Sequence, residues 1–173
     1  MRNHTTQIVS LSPRSWKLYR QIILEAVTLE PLTFTSILEY LEQVPQERWV
    51  KNLQNPQNTK GITLFFARKN LEVIGFIAGQ LSSQIYPPGV GVIQTVYVKK
   101  AMRKQGIGGK LLVKMLSHMK KETECRKIVL SVNAANSDAI QLYKKHNFHM
   151  KSLDVQIMSN GIEQEVLLLK CDL

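Results

Sequence analysis

The sequence predicts an α/β fold whose sheet is at least partly antiparallel. Stretches rich in β-branched and aromatic residues alternate with amphipathic helical stretches in the order β-α-α-β-β-β-α-β-α-β-β. Neighbouring strands in the middle of the chain are joined by hairpin-length connections such as residues 69–71, which favour antiparallel pairing. No repeat, low-complexity tract or linker divides the 173 residues, so a single domain over residues 1–173 is predicted.

The N-terminal part is predicted to be a short strand followed by two helices. Residues 7–11 are typical of a strand, and Pro13 after a serine is a good helix start because proline is favoured in the first turn. Apolar residues then recur at helical spacing until Pro31 ends the helix. A second helical stretch covers about residues 35–54 and is interrupted near Pro45.

From about residue 60 onward, strands alternate with two further helices. Strands are predicted at residues 62–68, 72–84, 90–99, 127–132, 153–159 and 163–170. A helix follows the third of these strands, because the apolar residues from Ile107 to Met119 form one stripe. A capping cluster at residues 136–138 opens another helix, which is predicted to run to about His146. Residues 159–161, Ser-Asn-Gly, predict a hairpin turn between the last two strands.

The composition excludes several classes of protein. A chain that is 44% hydrophobic can bury a core, which excludes wholesale disorder and fibrous proteins. Its apolar runs fall far short of the roughly 18 residues that a spanning helix needs, and its first residues lack an apolar signal region. We therefore expect no membrane contact and a cytoplasmic location. Cys125 and Cys171 lack CxxC spacing, so they are expected to be reduced thiols, with no disulfide framework and no metal.

The formal net charge of +10 is concentrated in one segment. Residues 99–121 contain eight lysines and arginines and no acidic residue, so the other 150 residues carry only +2. A local excess of positive charge indicates an anionic partner. Nucleic acid is one alternative, but it is disfavoured because the segment lacks interleaved aromatic residues on which bases could stack.

The basic segment contains a pattern suited to binding phosphate. Residues 97–112 read as a strand, a short basic loop and then glycines at the start of an amphipathic helix. Glycines let the backbone approach a ligand closely, and the free amides and the dipole of a first helical turn favour an anion such as pyrophosphate. Neither GxGxxG, which would need glycine at Leu111, nor the P-loop pattern fits here. Dinucleotide and nucleoside-triphosphate folds are therefore disfavoured.

Two sequence blocks resemble a known family. Residues 103–108, Arg-Lys-Gln-Gly-Ile-Gly, match R/Q-x-x-G-x-G/A, the acyl-CoA pyrophosphate loop of the GNAT superfamily of N-acetyltransferases. Residues 136–148 resemble that family's N-x-x-A-x-x-L-Y-x-K-x-G-F block. With the strand order around them, the blocks cover roughly residues 60–170. The resemblance implies a mixed, mostly antiparallel twisted sheet of about seven strands with helices on both faces. It also implies that acetyl-CoA is wedged where the strands ending near Val98 and Val132 splay apart.

The resemblance also implies a set of site residues. The Val96 and Val98 backbone would pair with the pantetheine arm of acetyl-CoA, and the Val96 amide would polarise the thioester carbonyl. Tyr143 would act as the general acid for the departing thiolate, although packing of its helix on the sheet is an alternative role. The residues implied in donor binding are Val96, Val98, Arg103, Lys104, Gln105, Gly106, Ile107, Gly108, Gly109, Asn136 and Tyr143.

The chain departs from the family pattern at the position of the general base. Many relatives carry a glutamate eleven positions before the loop arginine, and here that position is Val92. Gln94 could position a water molecule but cannot ionise, while His118 and His146 are bases by residue type alone, so no base is assigned. The second departure is Asn147, where glycine is typical, and asparagine tolerates the left-handed conformation that such a helix end requires.

The segment around residues 12–54 is similar to the family only in outline. Glu30 and Phe34 resemble a part of the family that lies over the acceptor site, and Trp49 is expected to fill the core. The predicted function is direct acetyl transfer from acetyl-CoA to an amine, first of all a small molecule. The alternatives are a protein N-terminal or lysine acetyltransferase and a non-catalytic acyl-CoA-binding module. A homodimer is left open.

Overall fold

The computed structural model describes residues 5–31, 38–54, 62–81, 87–122, 125–157 and 161–173. The strands in these ranges are β1 Gln7–Val9, β2 Ile62–Lys69, β3 Glu72–Leu81, β4 Val90–Val98, β5 Lys127–Asn133, β6 His149–Ile157 and β7 Glu163–Asp172. The α-helices are α1 Trp16–Leu29, α2 Leu38–Gln43, α3 Gln46–Gln54, α4 Ile107–Glu122 and α5 Ser137–Lys145. Short 3₁₀ turns lie at Pro13–Ser15 and Lys100–Met102.

The seven strands form one mixed sheet in the order β1-β2-β3-β4-β5-β7-β6. Every pair of neighbours is antiparallel except β4 and β5, which are parallel. These two strands pair only where Val90, Gly91 and Val92 face Lys127, Ile128 and Val129. Beyond Val92 and Val129 the strands separate, and we call this opening the sheet split. The predicted fold class and the predicted splay are both confirmed.

Helices cover both faces of the sheet, each over its own apolar core. The stripe of α4, including Leu111, Met115 and Met119, is fully buried on one face, where Phe148 after α5 joins it. On the opposite face, α1 and α3 pack on β2 and β3, and Trp49 lies in this second core, as predicted. The side chain of Trp49 is held there by a 3.1 Å hydrogen bond from its Nε1 to the Val44 carbonyl. Tightly packed apolar side chains of this kind supply most of a fold's stability.

Several predicted boundaries differ from the structure. The predicted first strand ends early, at Val9, and the second helical stretch is two helices separated at Val44 and Pro45. Residues 35–37, 82–84 and 158–160, which belong to predicted elements, lie outside the described residues. Strand β6 begins at His149, four residues before its prediction. It is the last strand of the sheet and all of its residues are exposed. Polar and apolar residues alternate from residue 152 to residue 157, but the neighbouring polar residues 151 and 152 break the alternation, so the prediction missed the start of the strand.

Two local predictions are confirmed in detail. The Asn136 side chain caps α5, because its Oδ1 accepts a 3.1 Å hydrogen bond from the Ala139 amide. Asn147, directly after this helix, has a φ of 62°, which is the left-handed conformation expected of it.

Both cysteines are buried thiols, and burial raises the pKa of each. Among the helices in the described ranges, none has the length and apolarity needed to cross a membrane.

Candidate active site

A cavity of about 510 Å³ opens at the sheet split. The end of β4, the loop before α4, the first turn of α4 and one side of α5 form its walls. Of the residues predicted to bind the donor, Gln105 is exposed and does not line the cavity. The cavity is lined by the other ten, namely Val96, Val98, Arg103, Lys104, Gly106, Ile107, Gly108, Gly109, Asn136 and Tyr143. The structure thus brings together two sequence blocks that are about 30 residues apart.

The glycine loop leaves backbone amides unpaired at the start of α4. The Lys110 amide donates to the Gly106 carbonyl at 3.1 Å. The amides of residues 107–109 precede this bond, so they have no acceptor inside the helix and are available to an anion. Gly106 has a φ of 75°, and a Cβ added to it would have nothing within 4 Å.

Glycine is needed at positions 108 and 109 for a different reason, namely close helix packing. A Cβ at Gly108 would lie 3.2 Å from Leu142 Cδ2, and one at Gly109 would lie 3.3 Å from His146 Nε2. These two glycines therefore let the start of α4 pack closely against α5, which brings the free amides of α4 near Tyr143 on the neighbouring helix.

Two basic side chains of the loop are held by carboxylates on opposite sides of the cavity. Arg103 donates from Nε to the Val98 carbonyl at 2.9 Å and pairs with Glu30 Oε1 at 2.5 Å. Lys104, which has a left-handed φ of 60°, pairs with Asp138 in the first turn of α5. The loop is therefore fastened to the end of α1 and to the beginning of α5.

Tyr143 both packs and lines the cavity. Its side chain is only 7% exposed, and its ring lies 5.7 Å from that of Phe148. Burial raises the pKa of Tyr143 to about 12, because a phenolate loses its hydration in this environment. The hydroxyl consequently keeps its proton over the working range of an enzyme and can act as a hydrogen-bond donor.

The candidate bases separate into those near the cavity and those away from it. Val92 faces Gln80 on one side and Val129 on the other and offers no proton acceptor. His118 stacks edge-on against Phe65 with ring centroids 5.4 Å apart, which is a packing role. His146 lines the cavity.

Two acidic side chains, Glu30 and Asp138, line the cavity although the sequence predicted other roles for them. Glu30, expected as a wall of the acceptor site, lines the cavity through its ion pair with Arg103. Phe34, the other expected wall, lies outside the described residues. Asp138 lines the cavity as well, although the sequence marked it only as part of a cap.

A network that sequence reasoning missed fixes the end of β4. The Tyr97 hydroxyl donates to Glu25 Oε1 at 3.1 Å, and Lys99 pairs with Glu25 at 2.9 Å and with Glu72 at 2.8 Å. Burial, followed by the charge of Glu25, raises the pKa of Tyr97 to about 12. Tyr97 and Glu25 are 72 positions apart, so no local pattern connects them. The positive charge of Lys99 is therefore paired with carboxylates of the protein itself.

Comparison with known proteins places this geometry in a family. The Acetyltransferase (GNAT) family matches residues 28–148. Among curated proteins, the chain is similar to N-alpha-acetyltransferase 60 of Xenopus tropicalis, with 39% identity over 62 residues. That match covers 35% of this chain and 26% of the relative, so the chain spans about a quarter of the relative's length.

Solved structures show the same fold at low sequence identity. The GNAT-family acetyltransferase from Streptococcus pneumoniae has a TM-score of 0.77 at 16% identity, over 98% of this chain and 100% of that one. PaiA N-acetyltransferase from Thermoplasma acidophilum, solved with coenzyme A, has a TM-score of 0.73 at 18% identity, over 98% and 99%. NAA60 from Arabidopsis thaliana, solved with a bisubstrate analogue, has a TM-score of 0.70 at 22% identity, over 97% and 98%.

Proposed function

The chain belongs to the GNAT acetyltransferase family, and we propose that it moves the acetyl group of acetyl-CoA directly to an amine. The observation that carries this proposal is the cavity at the sheet split, which we now call the donor cavity. It brings the free amides of the first turn of α4, the edge of β4 beyond Val92 and the Tyr143 side chain to one place.

The donor cavity suits the phosphate end of coenzyme A. The amides of residues 107–109 would hold the pyrophosphate through short hydrogen bonds to the backbone. The positive charge of residues 99–121 would attract the anion over a longer range. Gln105 is exposed and does not line the donor cavity, so its part in donor binding stays a prediction.

The thioester end would lie along β4. Because β4 and β5 pair only as far as Val92 and Val129, the backbone of Val96 and Val98 faces the sheet split rather than a neighbouring strand. The pantetheine arm would add to this edge as an extra strand. The Val96 amide would then donate to the thioester oxygen, where negative charge develops during attack.

The reaction forms a C–N bond and breaks a C–S bond. A neutral amine attacks the thioester carbonyl, the amine proton passes to water, and the electron pair of the C–S bond leaves on sulfur. With a pKa of about 12, Tyr143 is a poor donor of a whole proton to a thiolate whose pKa is about 8.5. Complete transfer would cost about 5 kcal/mol. Tyr143 therefore stabilises the thiolate by a hydrogen bond while water delivers the proton.

The acceptor is the amine of either a small molecule or a polypeptide. Small-molecule amines are the first expectation from the sequence. The local similarity to N-alpha-acetyltransferase 60 supports a protein amino terminus as the second candidate.

Acetylation of an amine panel by the whole chain tests the proposed function. The purified protein would be incubated with acetyl-CoA and with peptides, amino acids, polyamines and aminoglycosides. Acetylated products would be identified by mass spectrometry, and coenzyme A binding would be measured separately by calorimetry. We expect turnover with at least one amine and no acetylated protein when acetyl-CoA is present alone. Binding of coenzyme A without turnover on any amine would contradict the proposal.

A further inference from the structure

The side of the sheet split that faces away from α4 carries a group of neutral polar side chains. They come from four strands, β3, β4, β5 and β7. We call this group the acceptor face, and it consists of Gln80, Gln94, Ser131, Asn133 and Gln164. Gln94 and Ser131 are exposed, Gln80 and Asn133 are half-buried, and Gln164 is 8% exposed.

The strand register shows that β3, β4 and β5 present the same side here. Gln80 lies opposite Val92, which in turn lies opposite Val129. The alternate residues Ile93 and Ile128 belong to the core beneath α4, so Gln80, Val92 and Val129 point the other way. Ser131 and Asn133 follow Val129 by two and four positions and therefore share its side.

Hydrogen bonds join the polar groups of the acceptor face. Gln94 is the extra residue of a β-bulge, because Ala78 pairs with Thr95 while Gly79 pairs with Ile93. The bulged Gln94 donates from Nε2 to Gln80 Oε1 at 3.1 Å.

At the other strands, Asn133 donates from Nδ2 to Gln164 Oε1 at 2.5 Å. Nε2 of Gln164 is buried and has no hydrogen-bond partner among the described residues. A buried donor left without an acceptor is costly, and a ligand carbonyl would relieve that cost.

The acceptor face lacks the charge that a polycation needs. Its five residues are amides and a hydroxyl, and Val92 lies between them. The charged residues on the same side of the neighbouring strands include Lys127, Asp172, Lys170 and Asp154. The register pairs Lys127 with Asp172, Lys170 with Val129 and Asp154 with Val166. An ammonium group buried here would lose hydration without gaining a carboxylate partner, whereas peptide amides would find both donors and acceptors.

The acceptor face carries no titratable side chain, and most titratable groups that line the donor cavity are already held. His146 lines the donor cavity without an ion pair among the described residues, but its Nε2 faces Gly109 at the start of α4, on the phosphate side of the cavity and not on the acceptor face. Glu30 is held by the Arg103 guanidinium, and Asp138 is held by Lys104. Tyr143 keeps its proton, and Tyr97 donates its proton to Glu25. Without a strong base, the amine that reacts is the fraction already neutral in solution. At pH 7.5 about a third of peptide α-amino groups are neutral, but only about one lysine amine in a thousand is.

We propose that the acceptor is the free amino terminus of a peptide or protein, which lies extended over the acceptor face and reacts in its already neutral form. This inference rests on the proposed function, and it selects an acceptor class by two separate properties of the site. The uncharged amides of the acceptor face favour a peptide backbone as ligand. Because no base lies on this face, an amine with a low pKa is favoured as the nucleophile.

Matched peptides test the selection of the amine. One peptide carries a free amino terminus and an acetylated lysine, and its partner has the same sequence with an acetylated amino terminus and a free lysine. At pH 7.5 we expect kcat/KM to be at least about a hundredfold higher for the free amino terminus, as the neutral fractions imply. The advantage should shrink as the pH rises towards 10. Equal or faster acetylation of the lysine peptide, or of spermidine, would overturn the inference.

Two variants at Val92 test the role of the missing base. V92E places a carboxylate on the acceptor face, and V92Q is its uncharged match. We expect V92E to raise kcat/KM for the lysine peptide at least tenfold and V92Q to leave it within twofold, with coenzyme A binding unchanged in both. A V92E protein that binds coenzyme A but gains nothing on the lysine peptide would overturn the argument.

Variants of exposed glutamines test the contact with the peptide backbone. Q94L removes an amide from the acceptor face and should raise the peptide KM about fivefold while leaving the KM of acetyl-CoA unchanged. Q43L, which replaces another exposed glutamine on α2, is the control and should change neither. An unchanged peptide KM in Q94L would count against the proposed contact. Failure of every amine to release coenzyme A would refute the proposed function as well, whereas turnover restricted to polyamines or lysine would refute this inference alone.

Discussion

The donor cavity and the acceptor face meet at one sheet split but are built from different parts of the chain. The donor cavity presents backbone amides from a single segment, residues 107–109, beneath a basic loop. The acceptor face presents side chains from four strands, from Gln80 in β3 to Gln164 in β7, and none of its five residues is charged.

This difference determines which ligands each side can bind. Backbone amides bind any phosphate that reaches them, and they depend on the main chain having the right conformation. Side-chain amides on a sheet can be exchanged one at a time without altering the fold, so the acceptor face can change its ligand while the donor cavity keeps the same one. The following predictions test whether the two sides are separable in this way.

The largest effect is expected for Tyr143, to which the proposed mechanism gives the stabilisation of the departing thiolate. Y143F should lower kcat about a hundredfold, because the hydrogen bond to the departing thiolate is lost. The affinity for coenzyme A should stay within about twofold, since the ring still packs on Phe148. Steady-state kinetics and calorimetry would measure the two quantities, with Y40F on the exposed surface as the control. An unchanged kcat would remove Tyr143 from the mechanism.

The next effect concerns the main chain of the donor cavity. G106A should weaken coenzyme A binding about tenfold, because a methyl group at a φ of 75° strains the loop and enters open space beside the free amides. Gly161 is a matched control, with a φ of 78° and nothing within 4 Å of an added Cβ. G161A should lose a similar free energy of unfolding, about 1 kcal/mol, without any change in the dissociation constant. Equal weakening by both variants would mean that general strain, rather than the donor cavity, is responsible.

Ionic strength should distinguish the charged side from the neutral one. Raising the salt concentration from about 0.05 M to about 0.5 M should increase the KM of acetyl-CoA about fivefold, because the basic segment attracts the donor through screened charges. The KM of an uncharged acceptor peptide should change less than about 1.5-fold over the same range, since the acceptor face carries no charge. Parallel initial-rate measurements would show whether the two KM values respond differently to salt. An equal change in both would show that the charge of the basic segment also acts on the binding of the peptide.

The smallest effect is expected for Asp138, which pairs with Lys104 and would compete with a bound phosphate for it. D138N should tighten coenzyme A binding about twofold to threefold, because Lys104 no longer has to leave a carboxylate. E72Q is the control, since Glu72 is exposed to a similar degree and pairs with Lys99. Titration calorimetry at low salt would measure the change, and weaker binding in D138N would show that Asp138 supports the donor cavity instead of competing with its ligand.

The sequence predicted the donor side better than the acceptor side for a physical reason. The free amides, the start of α4 and the Asn136 cap depend on contacts within a few residues, and such contacts leave local patterns. The ion pair of Arg103 with Glu30 joins residues 73 positions apart, and it follows no local pattern. The charge of residues 99–121 was predicted correctly as local, but the structure shows that Lys99, Arg103 and Lys104 are paired with carboxylates.

The acceptor face was not predicted because its residues are ordinary when taken singly. Gln80, Ser131 and Gln164 are common in strands, and they meet only after the register of four strands is set. The start of β6 was missed because the alternation of polar and apolar residues is broken at residues 151 and 152, and the register of the strand is irregular between Met150 and Ser152. Sequence reasoning thus found the part of the site that is contiguous, and the fold was needed to assemble the rest.

Because the contact between β4 and β5 is short, a donor bound at the sheet split would also stabilise the fold. Only three register pairs join the two halves of the sheet, while each antiparallel neighbour of these strands pairs over seven positions. A molecule that fills the sheet split and bonds to β4 would tie the halves together and protect the amides along that edge from hydrogen exchange. At a hundred times its dissociation constant, such a ligand adds about 2.7 kcal/mol to the free energy of unfolding. The lifetime of this protein would then follow the supply of acetyl-CoA.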